Sequence, residues 1–250
     1  RAKHVIAFDA GRPDRACLAN VRVPYRDDRH AAESFLDLAR AAGVRAERYT
    51  PGGLEVDGHA AARAARWCRR NKVPPRPLVV IHPGSGDNFP GRRWPTRRFG
   101  LVARRIVDES GACVAVTGSR RERALAAEVV EASGRPLYDL SGHLELDDLV
   151  ALLSRAELVI ANDTGPVHLA SALGIPVLGL YGPNTPLLYG PLSAESRAFY
   201  DAPPCSPCIT NLNYKTSRCL NPVCIGAIPQ ERVAEAALAR LASRRAEKSA

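Results

Sequence analysis

From Leu78 to Tyr181 the sequence alternates short apolar runs with longer stretches that carry apolar residues at helical spacing. The apolar runs are 78–82, 113–117, 137–140, 157–161 and 177–181, and the helical stretches between them are 97–110, 120–133, 146–155 and 166–173. Strands that alternate with helices pair in parallel through right-handed crossovers, so the pattern predicts an α/β fold. Continuous apolar strands are typical of a parallel sheet with helices on both faces.

Each predicted strand is followed by a small, polar loop that contains glycine. The loops are His82–Gly86, Thr117–Ser119, Ser141–His143, Asn162–Gly165 and Tyr181–Pro183. The carboxyl ends of parallel strands meet at one edge of the sheet, where backbone amides can bind phosphates and sugar hydroxyls. One Gly-Ser pair is usually only a turn, but five such loops at one edge favour a binding surface.

Residues 157–177 form the most informative of these units. A buried strand leads into Asp163, Thr164 and Gly165, and Pro166 suits the start of a helix whose first turn carries His168. The amides at a helix start have no intrahelical partner and carry partial positive charge, which suits a pyrophosphate. The alternative is that Asp-Thr-Gly only caps the helix.

The formal net charge of +9 comes mainly from arginine. This charge is compatible with nucleic acid, an anionic membrane or a phosphorylated glycolipid as partner. The low aromatic content and the lack of a zinc-finger helix make nucleic acid the weakest of the three. For the last cluster, 240–248, a solvated helix face is the preferred explanation.

The beginning of the chain carries two expectations about processing and location. Methionine is absent and the first residue is Arg1, so we expect that a preceding segment has been removed. No run approaches the ~18 apolar residues of a membrane span, and the start lacks the apolar core of a signal peptide. We therefore expect a soluble chain.

The residues before Arg76 have a weaker pattern. Val5–Phe8 and Leu54–Val56 are predicted strands, and His30–Ala42 and His59–Asn71 are predicted helices. The proline-rich segment 73–77 excludes regular structure and indicates a stiff linker. We therefore divide the chain into 1–75, the end of a preceding domain, and 76–250, a complete α/β domain.

Several of these segments together resemble glycosyltransferase family 9, whose best known members are ADP-heptose:lipopolysaccharide heptosyltransferases. The resemblance rests on His82–Ser85, Arg92–Pro95, Thr117–Ser119 with Glu122, Ser141–Gly142 with 146–153, and Asn162–Ala170. Order and spacing agree across residues 78–240. The resemblance implies a GT-B fold, with two Rossmann-like domains facing a cleft. It also implies that 76–250 binds the nucleotide-sugar donor and that the N-terminal domain is incomplete in this chain.

The resemblance also implies roles for particular residues. Asp163, Thr164, Gly165 and His168 would contact the pyrophosphate and sugar of the donor. Arg92 stands where the family usually has a lysine that holds the donor phosphates, and arginine can make the same contact in a bidentate way. The remaining candidates are Glu122 for the ribose hydroxyls, Leu144 against the base, and Ser85 and Gly86 in the phosphate loop.

The implied reaction is inverting transfer of a sugar, heptose in the best known members, to a phosphorylated glycolipid acceptor without a catalytic metal. Positive charge and helix-end amides would stabilise the leaving diphosphate. A carboxylate must take the proton of the acceptor hydroxyl. In the family this base follows a Gly-rich first strand, for which the sequence shows no counterpart. Asp9 follows a strand-like run, but its surroundings fit a later part of the domain, so we expect the base to be absent from this chain.

Four cysteines form a compact group in a loop rich in proline and asparagine. Cys205 and Cys208 have the spacing of a zinc-binding pair, and Cys219 and Cys224 follow at wider spacing. A structural zinc and reduced thiols or disulfides are left as equal alternatives. Cys17, Cys68 and Cys113 are expected to be ordinary buried or isolated residues.

Two other functions remain open. A noncatalytic nucleotide-sugar-binding module would share the binding edge but lack a catalytic base. A zinc-dependent nucleic-acid-binding protein would use the cysteines and arginines, but it would not explain the glycine-bearing loops at the edge of the sheet.

Overall fold

The computed structural model of the chain describes residues 3–11, 15–71, 73–74, 76–86, 89–201, 203–213 and 216–249. In the first part, β1 (Ile6–Asp9) and β2 (Val21–Pro24) pair in parallel, and α1 (Ala31–Ala41) packs against both. The next helix, α2 (Gly58–Arg70), packs on a helix of the second part. Of the predicted linker, Pro75 lies outside the described residues.

The predicted strand at Leu54–Val56 is wrong. These residues form no strand, because the amides of Gly52 and Leu54 both donate to the carbonyl oxygen of Ala172. That carbonyl lies at the end of a helix, where it has no intrahelical partner. The segment therefore satisfies a helix end and is not available to the edge of a sheet.

The second part contains the predicted alternation of strands and helices, with bounds that differ by a few residues. The elements are β3 (Leu78–His82), α3 (Thr96–Arg105), β4 (Cys113–Val116), α4 (Arg123–Ser133), β5 (Tyr138–Asp139), α5 (Leu146–Leu153), β6 (Leu158–Asn162), α6 (Gly165–Ala172), β7 (Val177–Leu180), α7 (Pro186–Tyr189), β8 (Arg197–Phe199), α8 (Val223–Gly226) and α9 (Gln230–Ser249). Neither β2 nor β8 was predicted, since both are short and lack a continuous apolar run.

In the described ranges, six strands form one sheet in the order β5-β4-β3-β6-β7-β8, and every neighbouring pair is parallel. The chain leaves β3 toward β4 and β5 on one side and returns to β6 on the other. The order of strands therefore reverses between β3 and β6. In open α/β sheets, the crevice outside the carboxyl ends of two such strands is the usual ligand site.

The side chains of successive residues in the central strands lie on opposite faces of the sheet and pack in different apolar layers. Val79 and Ile81 join residues of α3, α4 and α9 on one face, whereas Leu78 and Val80 join residues of α5 and α6 on the other. The prediction of a parallel sheet with helices on both faces is confirmed, and this double cover explains the apolar runs of the central strands. No helix in the described part of the chain has both the length and the apolarity needed to cross a bilayer.

Gly100 lies where α3 crosses α4, and it provides a test of this packing. A Cβ at this position would lie 2.6 Å from the Cβ of Ala132 and 2.7 Å from the carbonyl oxygen of Val129. We expect Gly100→Ala to lower the free energy of unfolding by roughly 1–3 kcal/mol, because the two helices must move apart. Urea denaturation followed by circular dichroism measures this loss.

The matched control is Gly58→Ala, at the first residue of α2, where an added Cβ meets nothing within 4 Å. This substitution should leave the stability unchanged or raise it slightly, because it restricts the unfolded chain. Equal stability of Gly100→Ala and the parent chain would contradict the close contact of α3 and α4.

Candidate functional site

A cavity of about 600 Å³ lies at the start of α6, beside the point where the order of strands reverses. The second part contributes Arg92, Asp163, Thr164, Gly165 and His168, all of which were singled out from the sequence. The first part contributes a mainly apolar wall that includes His30, Phe35 and Tyr49. The structure therefore places five of the predicted donor-binding residues in one cavity; their role in binding stays a prediction.

Asn162, the last residue of β6, connects the segments that surround this cavity. Its side chain is fully buried, and its Oδ1 accepts a hydrogen bond from the Trp94 amide at 2.9 Å. Its Nδ2 donates to the carbonyl oxygens of Pro83 at 2.8 Å and Gly84 at 3.3 Å. One amide thus fixes the loop after β3 and the segment before α3 to the end of β6.

The guanidinium of Arg92 lies between the loops that follow β3 and β6. Its Nη2 donates to the carbonyl oxygen of Ser85 at 2.6 Å, and its Nη1 donates to that of Asp163 at 3.2 Å. Its Nε is buried without a hydrogen-bond partner. Arg92 therefore brings a positive charge to the cavity and keeps one buried donor unused.

The carboxylate of Asp163 is buried and hydrogen-bonded within the protein. Only 5% of the residue is exposed, and its Oδ2 accepts a hydrogen bond from Asn184 Nδ2 at 2.8 Å. The same oxygen lies 3.9 Å from Arg92 Nη1. Asn184 was not singled out from the sequence, although it directly follows the Tyr181–Pro183 loop that was placed at this edge.

The start of α6 is open toward the cavity. Thr164 is the N-cap residue but makes no side-chain hydrogen bond to the first turn, and the next residue, Gly165, is exposed. The interpretation that Asp-Thr-Gly serves only as a cap is therefore not supported. In this first turn Pro166 has no amide hydrogen and the Val167 amide donates to the Thr164 carbonyl oxygen at 3.0 Å, so the amide of Gly165 is the one that suits an anion.

Ser85 and Gly86 form the loop behind Arg92. Ser85 is 2% exposed and its Oγ has no hydrogen-bond partner. Gly86 has a φ of +67°, which favours glycine, and its carbonyl oxygen accepts a hydrogen bond from Arg93 Nη2 at 2.9 Å. An unpaired buried hydroxyl is costly, so it is consistent with a site that a ligand completes.

Glu122 supports this loop from the short 3₁₀ turn, Arg120–Glu122, that follows β4. Its Oε1 accepts a hydrogen bond from the Gly86 amide at 3.1 Å, and its Oε2 accepts from the amide and hydroxyl of Ser119, both at 2.9 Å. Burial alone would raise the pKa of Glu122, but these donors outweigh it and hold the pKa below its ordinary value. The carboxylate is 5% exposed, so the structure gives it an internal positioning role that the sequence did not suggest. Its expected contact with a ribose remains a prediction.

His30 connects the two parts of the chain across the cavity. Its Nδ1 accepts a hydrogen bond from the Ala32 amide at 3.1 Å and thereby caps α1, while its Nε2 donates to the carbonyl oxygen of Gly190 at 2.9 Å. Burial lowers the pKa of His30. This arrangement requires the neutral ring with its proton on Nε2. The sequence offered no signal for it, since Gly190 is 160 residues away.

Leu144 is the candidate that the structure places elsewhere. It lines a second cavity, between α2 and the start of α5, and packs against the apolar layer of α5 and α6. Its expected contact with a nucleotide base remains a prediction.

The four clustered cysteines lie close to the loop that carries Asn184. The amides of Cys208 and Ile209 both donate to the carbonyl oxygen of Pro183 at 2.9 Å. Cys224 is buried, Cys205 is exposed, and all four thiols are free. Within the described ranges, no group of three or more histidine, cysteine or acidic side chains is arranged to hold a metal. As they stand, the thiols do not fit a zinc site, and the structural zinc stays a prediction.

Replacing Glu122 tests its positioning role. Glu122→Gln would place an amide NH₂ group where donors from Ser119 and Gly86 converge, so we expect a loss of roughly 1–3 kcal/mol in the free energy of unfolding. Because the folded pKa is lowered, the carboxylate stabilises the fold above its ordinary pKa, and this contribution is lost as the pH falls through the folded pKa. The difference between parent and variant should therefore shrink in acid.

Urea denaturation at neutral and at acidic pH measures both effects. Glu131→Gln, on an exposed position of α4, is the control and should change little at either pH. A Glu122→Gln chain as stable as the parent at neutral pH would show that the carboxylate does not hold the loop.

Comparisons with known proteins identify the family. The model of glycosyltransferase family 9 (heptosyltransferase) matches residues 1–217. The chain is 32% identical over 126 residues to lipopolysaccharide heptosyltransferase 2 of Escherichia coli K12, a match that covers 49% of this chain and 36% of that protein. It is 32% identical over 136 residues to lipopolysaccharide heptosyltransferase 1 of Pseudomonas aeruginosa PAO1, covering 53% and 36% respectively. The matches thus span about a third of the length of these relatives.

Solved structures agree with this assignment. The E. coli ADP-heptose lps heptosyltransferase II superposes with a TM-score of 0.73 at 23% identity, over 97% of this chain and 71% of that one. The glycosyltransferase of family 9 from Veillonella parvula DSM 2008 gives a TM-score of 0.73 at 25% identity, over 91% and 64% respectively. The parallel α/β architecture matches these GT-B structures, as the sequence predicted, and the chain belongs to glycosyltransferase family 9, the heptosyltransferases.

Proposed function

We propose that this chain binds the diphosphate of a nucleotide-sugar donor at the start of α6 and takes part in inverting sugar transfer. The observation that carries the proposal is the open amino end of α6 beside the half-buried guanidinium of Arg92. Amides and guanidinium groups form charge-assisted hydrogen bonds to phosphate oxygens. The unpaired Oγ of Ser85 and Nε of Arg92 further support an anionic ligand.

In the proposed reaction an acceptor hydroxyl oxygen attacks the anomeric carbon from the face opposite the diphosphate. The bond between that carbon and the phosphate oxygen breaks, and the diphosphate leaves with the bonding electrons. Arg92 and the Gly165 amide at the start of α6 would stabilise the growing negative charge. We therefore propose that this step needs no metal. The configuration at the anomeric carbon is inverted.

The hydroxyl proton must pass to a base that this cavity does not supply. Asp163 is the carboxylate among the described lining residues, and it is held by Asn184 and nearly buried. Asp9 does not line the cavity; its Oδ1 accepts a hydrogen bond from the Gly11 amide at 2.9 Å. We therefore propose that the catalytic base lies outside the residues that line this cavity. The same observation favours, as a second candidate, a noncatalytic module that binds the nucleotide sugar.

The names of the relatives support the identity of the substrates. The sequence relatives are named lipopolysaccharide heptosyltransferases, and one of the similar solved structures is that of an ADP-heptose lps heptosyltransferase. We therefore propose ADP-heptose as the donor and a phosphorylated, lipopolysaccharide-type glycolipid as the acceptor. An acceptor of this kind places the protein at the cytoplasmic face of the inner membrane, in peripheral contact with anionic lipid.

Calorimetry with ADP, UDP and GDP tests the donor site. We expect ADP to bind preferentially and Arg92→Gln to weaken it roughly 10- to 100-fold, because a charged hydrogen-bond donor to the phosphates is lost. Arg97→Gln removes the same charge from an exposed position of α3 and serves as the control. The proposal fails if none of the nucleotides binds or if both variants weaken ADP equally.

A transfer assay separates the enzyme from the binding module. The product of the complete gene should transfer heptose from ADP-heptose to a lipopolysaccharide core acceptor, and Arg92→Gln should slow it. Tight ADP binding without transfer by that product would favour the noncatalytic module.

A further inference from the structure

The cavity that contains Leu144 is unlike the donor cavity in both its position and its charge. It has a volume of about 380 Å³ and lies between α2 and the start of α5. Its lining includes Arg63, Arg66 and Arg70 from α2, and it shares no residue with the donor cavity. The proposed donor site therefore leaves it without a role.

The three arginines lie on one face of α2, since they are separated by three and four residues. Arg63 is paired with Asp148, with 2.5 Å between Nε and Oδ1. Asp148 is the only carboxylate among the described lining residues. The cavity therefore keeps a positive excess after its internal pair is counted.

Arg66 and Arg70 have no hydrogen bond or ion pair from their side chains within the described residues. Both are exposed. Like charges four residues apart destabilise a helix. Of Arg66 and Arg70, Arg70 lies in the last turn of α2, where the helix dipole favours a cation, and Arg66 does not. An anion bound between these two guanidinium groups would remove this repulsion.

The rest of the cavity is suited to the body of an organic ligand. Trp67 and Leu144 form an apolar wall, and the indole is held edge-on against Tyr138 with ring centres 5.9 Å apart. His143 adds a further nitrogen donor or acceptor at the rim. A bare ion would leave most of this volume unfilled, whereas a phosphate attached to a sugar or glycerol would use both the charge and the wall.

We infer that this cavity is a second anion site, separate from the donor site, that binds the phosphate group of an organic ligand. A guanidinium group can bind a phosphate through two parallel N–H···O hydrogen bonds, and α2 carries two such groups four residues apart on one face. The phosphate can belong to a lipid headgroup at a membrane surface or to a soluble phosphate ester. The inference stands whether or not the donor cavity binds a nucleotide sugar.

Tryptophan fluorescence reports on this site. The chain has two tryptophans, and Trp94 is 1% exposed with its Nε1 bonded to the Ile228 carbonyl oxygen, so a binding signal arises from Trp67. The probes are inorganic phosphate, glycerol 3-phosphate, and phosphatidylcholine vesicles with and without phosphatidylglycerol, all at one ionic strength. Trp67→Phe should abolish the signal.

The decisive comparison uses two double variants that both lower the formal charge from +9 to +7, since each removes two arginines. Arg66→Gln/Arg70→Gln removes the unpaired cations of the cavity. Arg45→Gln/Arg155→Gln removes two exposed arginines elsewhere. We expect the first to weaken binding of the responding probe roughly 10- to 30-fold and the second to leave it nearly unchanged.

A response to glycerol 3-phosphate shows that a soluble phosphate ester is sufficient for binding. A response only to vesicles with phosphatidylglycerol identifies a lipid headgroup as the ligand. Either result supports the inference. It is overturned if no probe responds or if both double variants weaken binding equally, which would indicate bulk charge alone. It is also overturned if Arg66→Gln/Arg70→Gln weakens ADP binding as strongly as Arg92→Gln, because the cavity would then belong to the donor site. Circular dichroism melting checks that both variants fold.

Discussion

The buried amide of Asn162 is the interaction on which the site depends. It is fully buried and forms hydrogen bonds to the amide of Trp94 and to the carbonyl oxygens of Pro83 and Gly84. Leaving such groups unpaired in the interior costs about 1–3 kcal/mol each, so the three segments are strongly held in one arrangement. That arrangement brings Arg92 between the loops after β3 and β6.

Around this fixed point, the loops of the neighbouring strands are supported in the same way. The carboxylate of Glu122 holds Gly86 and Ser119, and the amide of Asn184 holds Asp163. The carboxylates of Glu122 and Asp163 therefore already accept hydrogen bonds from other groups of the protein. What remains directed to the opening is the guanidinium of Arg92 and the amino end of α6, which together favour an anionic ligand.

The cavity is shaped by both parts of the chain. His30 connects the start of α1 to Gly190, and Tyr25 accepts a hydrogen bond from Asn211, in the loop that also carries Cys208. The cysteine loop in turn holds Pro183, next to Asn184. Residues distant in sequence thus border the cavity and support the loop that holds Asp163.

The sequence by itself determined the architecture and the edge of the sheet at which the candidate site lies. Apolar periodicity and glycine positions are local signals, so the parallel sheet, its helices and the Asn162–Gly165 loop could be read from the chain. Short elements without such signals, β2 and β8, were missed. Leu54–Val56 was wrongly given a strand, since the Leu54 amide, with that of Gly52, binds the end of α6. Only the tertiary structure decided the partners of each polar group. It placed Glu122 behind Gly86, His30 against Gly190, and Leu144 in a cavity lined by arginines of α2. Those contacts join residues far apart in the chain, and their free energy depends on packing and burial that no local pattern encodes.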